Sequence, residues 1–334
     1  MERYLRKCLI SICVDDRNLF ETLDVLVIND GSTDGTSAIA HEFADRYPSV
    51  FRVIDKPNGH YGSCVNRGLI EATGYYIKIL DADDCFDRNE FTLYLRDLNR
   101  IKELSPPVDL VLTHVNYVDA NDRQSETIEY PFGGRSDLTL DDVSSLSRGR
   151  FIHGYTYRRA IFDGLNYHQS EGVPYTDTEW IFLPTTRVKR VAHSPRFVYR
   201  YLIGREGQSC APAVLSRQLT QIRKCFDVRL EQYKRFKANW SSAAIRYAEA
   251  ELTGTAGYLY VTYIQYGYWR FRTDLHSLDQ TVANDLRDIK KAIGTSNVLF
   301  PNSPFHVCYG KLCAEHPFLR PIFSLAFQLK RIAN

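Results

Sequence analysis

The 334-residue sequence lacks the features that mark membrane-spanning, secreted and zinc-binding proteins. No apolar run reaches the length of about 18 residues that a transmembrane helix needs. The first residues, MERYLRKCLI, contain too short an apolar stretch for a secretory signal. The eight cysteines include no Cys-x-x-Cys pair. We therefore expect reduced thiols in a cytoplasmic protein, without disulfides or a structural zinc site.

The charge of the chain is unevenly distributed, although its composition, 44% hydrophobic and 25% charged, is that of an ordinary globular protein. Residues 213–334 contain 17 Lys and Arg against 9 Asp and Glu, whereas the whole chain has a net charge of only +2. Such an excess indicates either a solvated basic helical surface or a contact with an anionic partner.

Short apolar strands alternate with helical patterns in the N-terminal part of the chain. DVLVIND (24–30) and FRVID (51–55) are typical of strands, and the segment between them has helical spacing. This alternation predicts an α/β fold with a mostly parallel sheet, whose ligand crevice lies at the carboxyl ends of the strands. Beyond residue 213 the pattern becomes helical, so we place a domain boundary there.

Acidic side chains follow two of these strands directly. Asp30 ends DVLVIND, and DADD (81–84) follows the apolar run YYIKIL (75–80). Like charges a few ångströms apart repel unless a cation or a ligand lies between them. Oxygen ligands suit Mg²⁺ or Mn²⁺, which neutralise a diphosphate. Two interpretations remain open: a nucleotide site with a divalent cation, or polar turns that cap the following helices.

Two further segments have the composition of a ligand site. NGHYGS (58–63) is rich in glycine, but it lacks the Lys-Ser/Thr pair of a P-loop and the spacing of a dinucleotide-binding turn. YTDTEW (175–180) brings a second acidic group, in which Asp177 and Glu179 are candidates for a general base. A helix cap is the alternative role for either carboxylate.

In their order along the chain, these segments resemble glycosyltransferase family 2, the inverting transferases with a GT-A fold. VINDGSTDGT (27–36) is similar to the nucleotide-binding turn of the family, and the stretch from NGHYGS to DADD (58–84) is similar to its helix, strand and Asp-x-Asp signature. YTDTEW is similar to the segment that supplies the catalytic base. YLIGREGQS (201–209) is similar to the loop that follows the last strand.

The resemblance implies a role for each of five residues. Asp30 would contact the uracil of a UDP-sugar, Asp81 would contact its ribose, and His60 would lie near the nucleotide. Asp83 would bind Mg²⁺ or Mn²⁺ on the diphosphate. Asp177 would take the proton of an acceptor hydroxyl, so that a single displacement inverts the anomeric configuration.

The implied function is transfer of a sugar from UDP to a hydroxyl of a glycan or lipid-linked acceptor, in cell-surface polysaccharide biosynthesis. A GT-A catalytic domain would occupy residues 1–212. The basic helical region 213–334, with PIFSLAFQL (321–329), would contact the inner face of the plasma membrane peripherally. We expect no nucleic-acid partner. The alternatives are a catalytically inactive nucleotide- or glycan-binding relative, or a sugar nucleotidyltransferase.

The sequence departs from the family at its start. Relatives begin with an apolar strand before a helix similar to MERYLRKCL (1–9), and here that strand is missing. In a doubly wound sheet such a strand is usually central. We therefore expect that the sequence begins inside the fold and that DVLVIND lacks one neighbour.

Overall fold

The computed structural model describes residues 1–146, 151–205, 208, 212–286 and 316–325. The contacts of these residues divide into two compact units. The first comprises the described residues of Met1–Val143 and Gly149–Gln208, and the second those of Ser144–Arg148 and Ser209–Asn334. We retain residues 1–212 as the proposed catalytic domain.

The first unit contains helices and strands in alternation. Its helices are α1 (Glu2–Ile12), α2 (Arg17–Phe20), α3 (Thr36–Arg46), α4 (His60–Glu71), α5 (Arg88–Lys102), α6 (Leu140–Ser144) and α7 (Asp177–Trp180). Its strands are β1 (Val25–Asp30), β2 (Phe51–Lys56), β3 (Tyr76–Ile77), β4 (Cys85–Phe86), β5 (Leu110–Val118), β6 (Gln124–Ile128), β7 (Tyr155–Arg158) and β8 (Val191–Leu202).

The second unit is helical in the residues that the structure describes. It contains α8 (Pro212–Phe236), α9 (Ser242–Gly267) and α10 (Arg272–Asp285), followed by a 3₁₀ turn at Pro317–Leu319. The Ser241 hydroxyl accepts a hydrogen bond from the Ala244 N–H and caps α9. Among the described residues, no helix has the length and apolar composition that crossing a membrane requires.

Helix α5 shows how the sequence produces a local element. The Asp87 carboxylate accepts hydrogen bonds from the N–H groups of Asn89 and Glu90, so it caps the first turn. Apolar side chains recur at helical spacing along one face and are buried: Phe91, Tyr94, Leu95 and Ile101. This buried face packs against strand β8 of the sheet. The packing therefore holds α5, and with it the segment that follows the acidic turn, against the sheet.

The prediction of a mostly parallel sheet is wrong. The pairs β1–β2 and β5–β8 are parallel, but β3–β7, β5–β7, β5–β6 and β4–β8 are antiparallel. The reason is visible at β5 and β6, because a short turn joins them and a parallel neighbour would need a long crossover. The α/β class is confirmed, with a mixed sheet in place of a parallel one.

The sheet is interrupted next to β1. Strands β1 and β2 form a two-stranded sheet, whereas the other strands form a second sheet in the order β3-β7-β5-β8-β4, with β6 beside β5. Apart from Asn29, the residues of β1 are only half-buried. Among the described residues β1 pairs only with β2. Helix α1 contributes Leu5 and Leu9 to a hydrophobic cluster against which Val27 and Leu80 pack.

We expect the variant Asp109→Ala to lose on the order of 3 kcal/mol of unfolding free energy, because it removes a buried carboxylate and leaves a partly buried arginine without its partner. The Asp109 Oδ1 accepts hydrogen bonds from Arg158 Nε (3.1 Å) and Nη2 (2.6 Å), and its Oδ2 accepts the Lys189 N–H at 2.9 Å. Denaturant titration measures the loss. Asp137→Ala is the control, because the Asp137–Arg135 pair is exposed and its loss should leave the midpoint unchanged. Equal effects of the two variants would contradict this prediction.

Candidate active site

Asp30 lies at the carboxyl end of β1, beside the start of α4. Its Oδ1 accepts hydrogen bonds from the Lys56 ammonium group and, at 2.9 Å, from the Gly59 N–H. Burial acts to raise the pKa of Asp30, but these hydrogen bonds outweigh burial and hold the pKa below its ordinary value. Asp30 therefore remains an acceptor of hydrogen bonds at neutral pH. The sequence analysis missed Lys56, which is 26 residues away in the chain.

The acidic turn after β3 gives its carboxylates different partners. The Asp81 Oδ2 lies 3.6 Å from Nε2 of His153, and the Asp81 N–H donates to the Tyr199 hydroxyl at 3.1 Å. The Asp83 Oδ2 accepts a hydrogen bond from Arg205 Nε at 2.9 Å. The Asp-x-Asp pair thus lies at one turn, with one carboxylate beside an imidazole and the other beside a guanidinium group.

Asp84 supports this turn from inside the protein. Its Oδ2 accepts the Tyr199 hydroxyl and its Oδ1 accepts the Leu202 N–H, both at 2.7 Å. Burial, together with the nearby negative charge of Asp81, raises the pKa of Asp84 to about 8. Because both oxygens already accept hydrogen bonds from β8, Asp84 fits the supporting role that the sequence suggested for it.

His153 is a site residue that the sequence analysis missed. Its ring lies 4.7 Å, centroid to centroid, from the rings of both Tyr199 and Tyr201, which fixes its orientation toward Asp81. The Lys78 ammonium group donates to the His153 carbonyl oxygen at 2.7 Å, and burial lowers the pKa of Lys78 to about 7. No motif surrounds His153, so only the fold reveals its place.

Asp177 begins the short helix α7, and the two carboxylates of this helix differ in burial. Glu179 is fully buried, and its Oε2 accepts a hydrogen bond from the Ser170 N–H at 2.9 Å. Trp180 is buried as well and anchors the helix. Asp177 is only half-buried. The geometry therefore favours Asp177 over Glu179 as the group that reaches a substrate.

Helix α4 holds the segment that precedes Asp177. The Asn66 side chain donates to the Gln169 carbonyl at 2.9 Å and accepts the Gln169 N–H at 2.8 Å, as a neighbouring strand would do. The Gln169 side chain in turn donates to the Thr176 hydroxyl at 2.9 Å. The Asn66–Gln169 contacts link residues 103 positions apart and bring the segment before α7 to the middle of α4.

Tyr61 lies at the start of α4, near enough to Asp81 and Asp177 for the negative charges of both to act on it. Burial raises the pKa of this phenol well above its ordinary value, and the negative charges of Asp81 and Asp177 add to the effect. His60 precedes Tyr61 and is exposed, and its backbone N–H also acts on Asp30. Asp30 and His60 thus lie together at the start of α4, whereas Asp83 pairs with Arg205 at the acidic turn.

The residues at the acidic turn fit a divalent cation. Asp81 and Asp83 offer carboxylate oxygens, which Mg²⁺ and Mn²⁺ prefer, and their side chains are 28% and 17% exposed. Ligand atoms of Asp81, Asp84 and His153 lie within 4.8 Å of one another, although Asp84 is already engaged by β8. A cation on Asp83 would take the place that the Arg205 guanidinium holds.

The N-terminal part of the chain matches a known protein family. The model of glycosyl transferase family 2 matches residues 2–130, which include the β1 turn and the acidic turn. Residues 2–130 belong to glycosyltransferase family 2. The matched residues include Asp30, Asp81 and Asp83, whereas His153 and Asp177 lie beyond the match.

The curated relatives include two proteins whose names refer to polysaccharide synthesis. The chain is 27% identical over 196 residues to the chondroitin synthase of Pasteurella multocida, a match that covers 58% of this chain and 19% of that enzyme. It is 31% identical over 119 residues to the minor teichoic acid biosynthesis protein GgaB of Bacillus subtilis, a match that covers 36% of this chain and 13% of GgaB. The chain therefore spans less than a fifth of either relative.

Solved structures confirm the GT-A fold. S. aureus TarS 1-349, in complex with UDP-GlcNAc, superposes with a TM-score of 0.57 at 18% identity, covering 98% of this chain and 85% of that one. At this identity the likeness concerns the fold alone. It extends through the second unit, which the family model does not reach.

Proposed function

We propose that the chain is an inverting glycosyltransferase that transfers a sugar from a UDP-sugar to a hydroxyl group. The observation that carries the proposal is the pair of contacts made by helix α4 and the residue before it: the Gly59 N–H donates to Asp30, and the Asn66 side chain binds Gln169 in the segment before Asp177. These contacts support a single site with a nucleotide end and a base end. Membership in family 2 supports the reaction class, and TarS supports a UDP-sugar donor by analogy.

The residues of the site have distinct tasks in the proposed reaction. Asp30 accepts a hydrogen bond from the uracil, and Asp81 accepts one from the ribose. Asp83 would hold a divalent cation, which would supply positive charge for the leaving diphosphate. Asp177 takes the proton of the acceptor hydroxyl as its oxygen bonds to the anomeric carbon. The bond from that carbon to the diphosphate oxygen breaks on the opposite face, which inverts the configuration.

The acceptor we propose is a growing glycan or a lipid-linked saccharide in cell-surface polysaccharide biosynthesis. The names of the chondroitin synthase and teichoic acid relatives support this assignment. A hydroxyl acceptor also suits the site, because a carboxylate base such as Asp177 is matched to a hydroxyl proton rather than to an amine that is already nucleophilic.

Metal-dependent release of UDP tests the proposed function. Donors such as UDP-GlcNAc and UDP-glucose are incubated with the protein, with Mn²⁺ or with EDTA, and titration calorimetry with UDP is run in parallel. We expect UDP release with at least one donor, and only with the metal. A nucleotidyltransferase would instead release pyrophosphate from UTP and a sugar phosphate, and an inactive relative would bind UDP without releasing it from any donor.

We also propose that the second unit places the protein at the inner face of a membrane. Phe318, Ile322 and Leu325 lie on one side of the helical segment 317–325 and are 72%, 62% and 59% exposed. Arg320 and Ser324, on the other side, are each only 3% exposed. The apolar side therefore faces outward, which is the reverse of an ordinary surface helix.

Polar contacts hold this segment in that orientation. Arg320 donates two hydrogen bonds of 2.7 Å to the Asp279 carboxylate and lies over the Tyr260 ring. The Tyr268 N–H donates to the Ser324 hydroxyl at 3.0 Å. The next residue, Trp269, is 73% exposed. An apolar surface with a tryptophan beside it is suited to a lipid interface.

Exposed arginines beside the tryptophan favour an anionic membrane. Arg270 and Arg272 follow Trp269 and are exposed. Each basic residue near anionic lipid contributes about 1 kcal/mol of attraction. Of the predicted interfacial stretch 321–329, residues 326–329 lie outside the described part of the chain, and the proposal rests on the described residues alone.

We expect the double variant Ile322→Glu/Leu325→Glu to lose co-sedimentation with vesicles of anionic phospholipid at low salt. Two charges on this surface would oppose both burial in the interface and attraction to the lipid. Ile70→Glu is the control, because Ile70 is 78% exposed but lies on α4 in the first unit. Equal co-sedimentation of wild type and the double variant would remove this surface from the proposal, and concentration-dependent dimers without lipid binding would point to a second copy as its partner.

A further inference from the structure

Arg205 places a positive charge on the carboxylate that the proposed reaction assigns to a metal ion. Its Nε donates to the Asp83 Oδ2 at 2.9 Å, and the two side chains are only 21% and 17% exposed. Asp81 and Asp84 belong to the same turn, and clustered carboxylates repel one another unless a positive charge lies beside them. Arg205 is therefore a counter-ion that the chain itself supplies to this turn.

The end of β8 brings Arg205 to the acidic turn. Leu202 is the last residue of β8, and its N–H donates to the Asp84 Oδ1 at 2.7 Å. Gly204 follows with a φ of 80°, a backbone conformation that glycine adopts without strain. Because Leu202 and Arg205 are close in the chain and contact neighbouring aspartates, the two hydrogen bonds fix this end of β8 on the turn.

The Gln208 side chain fixes the backbone that leads to Arg205. Gln208 is 5% exposed, its Nε2 donates to the Leu202 carbonyl oxygen at 2.7 Å, and its Oε1 accepts the Gly204 N–H at 3.1 Å. The Gln208 N–H donates to the Arg205 carbonyl oxygen at 3.2 Å. The guanidinium carbon of Arg205 lies 5.8 Å from the centroid of the Tyr4 ring, in α1. Contacts from β8 and α1 thus set the position of Arg205.

We propose that Arg205 and the divalent cation compete for Asp83, so that the cation binds by displacing the guanidinium group from this carboxylate. This inference rests on the proposed function, which assigns Asp83 to the cation. Two positive charges on a carboxylate that is only 17% exposed repel each other, because water screens them poorly there. Arg205 therefore lowers the affinity of the nucleotide-free protein for the metal. The diphosphate of a donor supplies further oxygen ligands and favours the exchange.

The variant Arg205→Gln tests the competition, because it removes the charge of the side chain and keeps a polar group in its place. Titration calorimetry with Mn²⁺ alone measures metal affinity without nucleotide. We expect the variant to bind Mn²⁺ about tenfold more tightly than wild type, since one charge-assisted hydrogen bond no longer has to be broken. If Arg205 only held the turn in shape, its loss would weaken metal binding instead.

Arg200→Gln is the matched control for the loss of an arginine from β8. Arg200 is 23% exposed, and its guanidinium lies 3.3 Å from the Asp122 carboxylate and 3.6 Å from that of Asp87. The variant removes the same charge without removing a partner of Asp83, so its Mn²⁺ affinity should stay within about twofold of wild type. A gain equal to that of Arg205→Gln would reflect net charge alone and overturn the proposal.

A double-mutant cycle with Asp83→Asn provides a second test. In the Asp83→Asn background, Arg205→Gln should bring no further gain in Mn²⁺ affinity, because the carboxylate for which the cations compete is gone. Without metal, Arg205→Gln should have a lower Tm than wild type, since Asp83 loses its partner. Mn²⁺ should raise the Tm of this variant more than that of wild type. Arg205→Lys, which keeps the charge without the planar guanidinium, carries the test if Arg205→Gln fails to fold, with a smaller gain expected.

The remaining outcomes separate this inference from the proposed function. If wild type and Arg205→Gln bind Mn²⁺ equally, and UDP strengthens the binding in both, Arg205 does not compete with the cation, whereas the proposed function stands. If neither protein binds Mn²⁺ with or without UDP, the metal assigned to Asp83 and the competition are both overturned. A gain that is present in Arg205→Gln, absent from Arg200→Gln and abolished by Asp83→Asn establishes the competition.

Discussion

Replacing Asp177 with asparagine is expected to lower kcat for sugar transfer 10²- to 10⁴-fold, the usual contribution of a general base. Asparagine keeps the size of the side chain and its place at the start of α7, but it cannot take a proton at neutral pH. The affinity for UDP should remain unchanged, because the nucleotide is held by residues of β1 and the acidic turn. Steady-state UDP release and titration calorimetry measure the two quantities separately.

Glu179→Gln provides the comparison for this variant. Glu179 is fully buried and accepts the Ser170 N–H, so its substitution should act on the packing of α7 and lower the Tm. Asp177→Asn should change kcat with little change in Tm. If Asp177→Asn lost affinity and turnover in equal proportion, Asp177 would hold the segment in place, and the base would have to be sought elsewhere in the site.

The parts of the site that follow strands are predictable from sequence. Asp30 and the DADD turn stand directly behind apolar runs, and in α/β folds the ends of such runs meet at the ligand crevice. Family resemblance then supplies the roles. These predictions rest on strand periodicity and turn position, which are local properties that a short stretch of sequence carries by itself.

The partners of these carboxylates are not predictable in the same way. His153 lies 72 residues from Asp81, and Arg205 lies 122 residues from Asp83, in segments without a recognisable motif. The Asn66–Gln169 pair spans 103 residues and brings the segment before α7 to the middle of α4. Each contact depends on how the sheet is ordered, and the sheet proved to be mixed rather than mostly parallel.

The run YYIKIL shows a second limit. Its apolar residues predict a strand of six residues, but only Tyr76 and Ile77 form one, as β3, paired with β7. A strand exists through its neighbours, because each backbone N–H and C=O needs a partner. Where the sheet is interrupted beside β1, the remainder of the run has no ladder to join among the described residues. Local composition cannot reveal whether that neighbour is present.

The variant Asp83→Ala is expected to reduce metal-dependent UDP release at least 10³-fold, because it removes the carboxylate that the family assigns to the cation. A cation that neutralises the leaving diphosphate contributes several kcal/mol to the transition state, and each 1.4 kcal/mol corresponds to a factor of ten. The Arg205 guanidinium, which donates to Asp83, would lose its partner at the same time. Initial rates across a Mn²⁺ titration, with UDP affinity measured with and without Mn²⁺, give the result.

Asp15→Ala is the control for the removal of an acidic side chain. The Asp15 side chain is 89% exposed and pairs with Arg88 at the surface, so its loss should change neither the rate nor the dependence on Mn²⁺. Asp83→Ala should retain metal-independent UDP binding through Asp30 and Asp81 but lose the gain in affinity that Mn²⁺ brings. Full activity of Asp83→Ala at saturating Mn²⁺ would remove Asp83 from the metal site. Asp81 and His153, only 3.6 Å apart, would then be the ligands to test next.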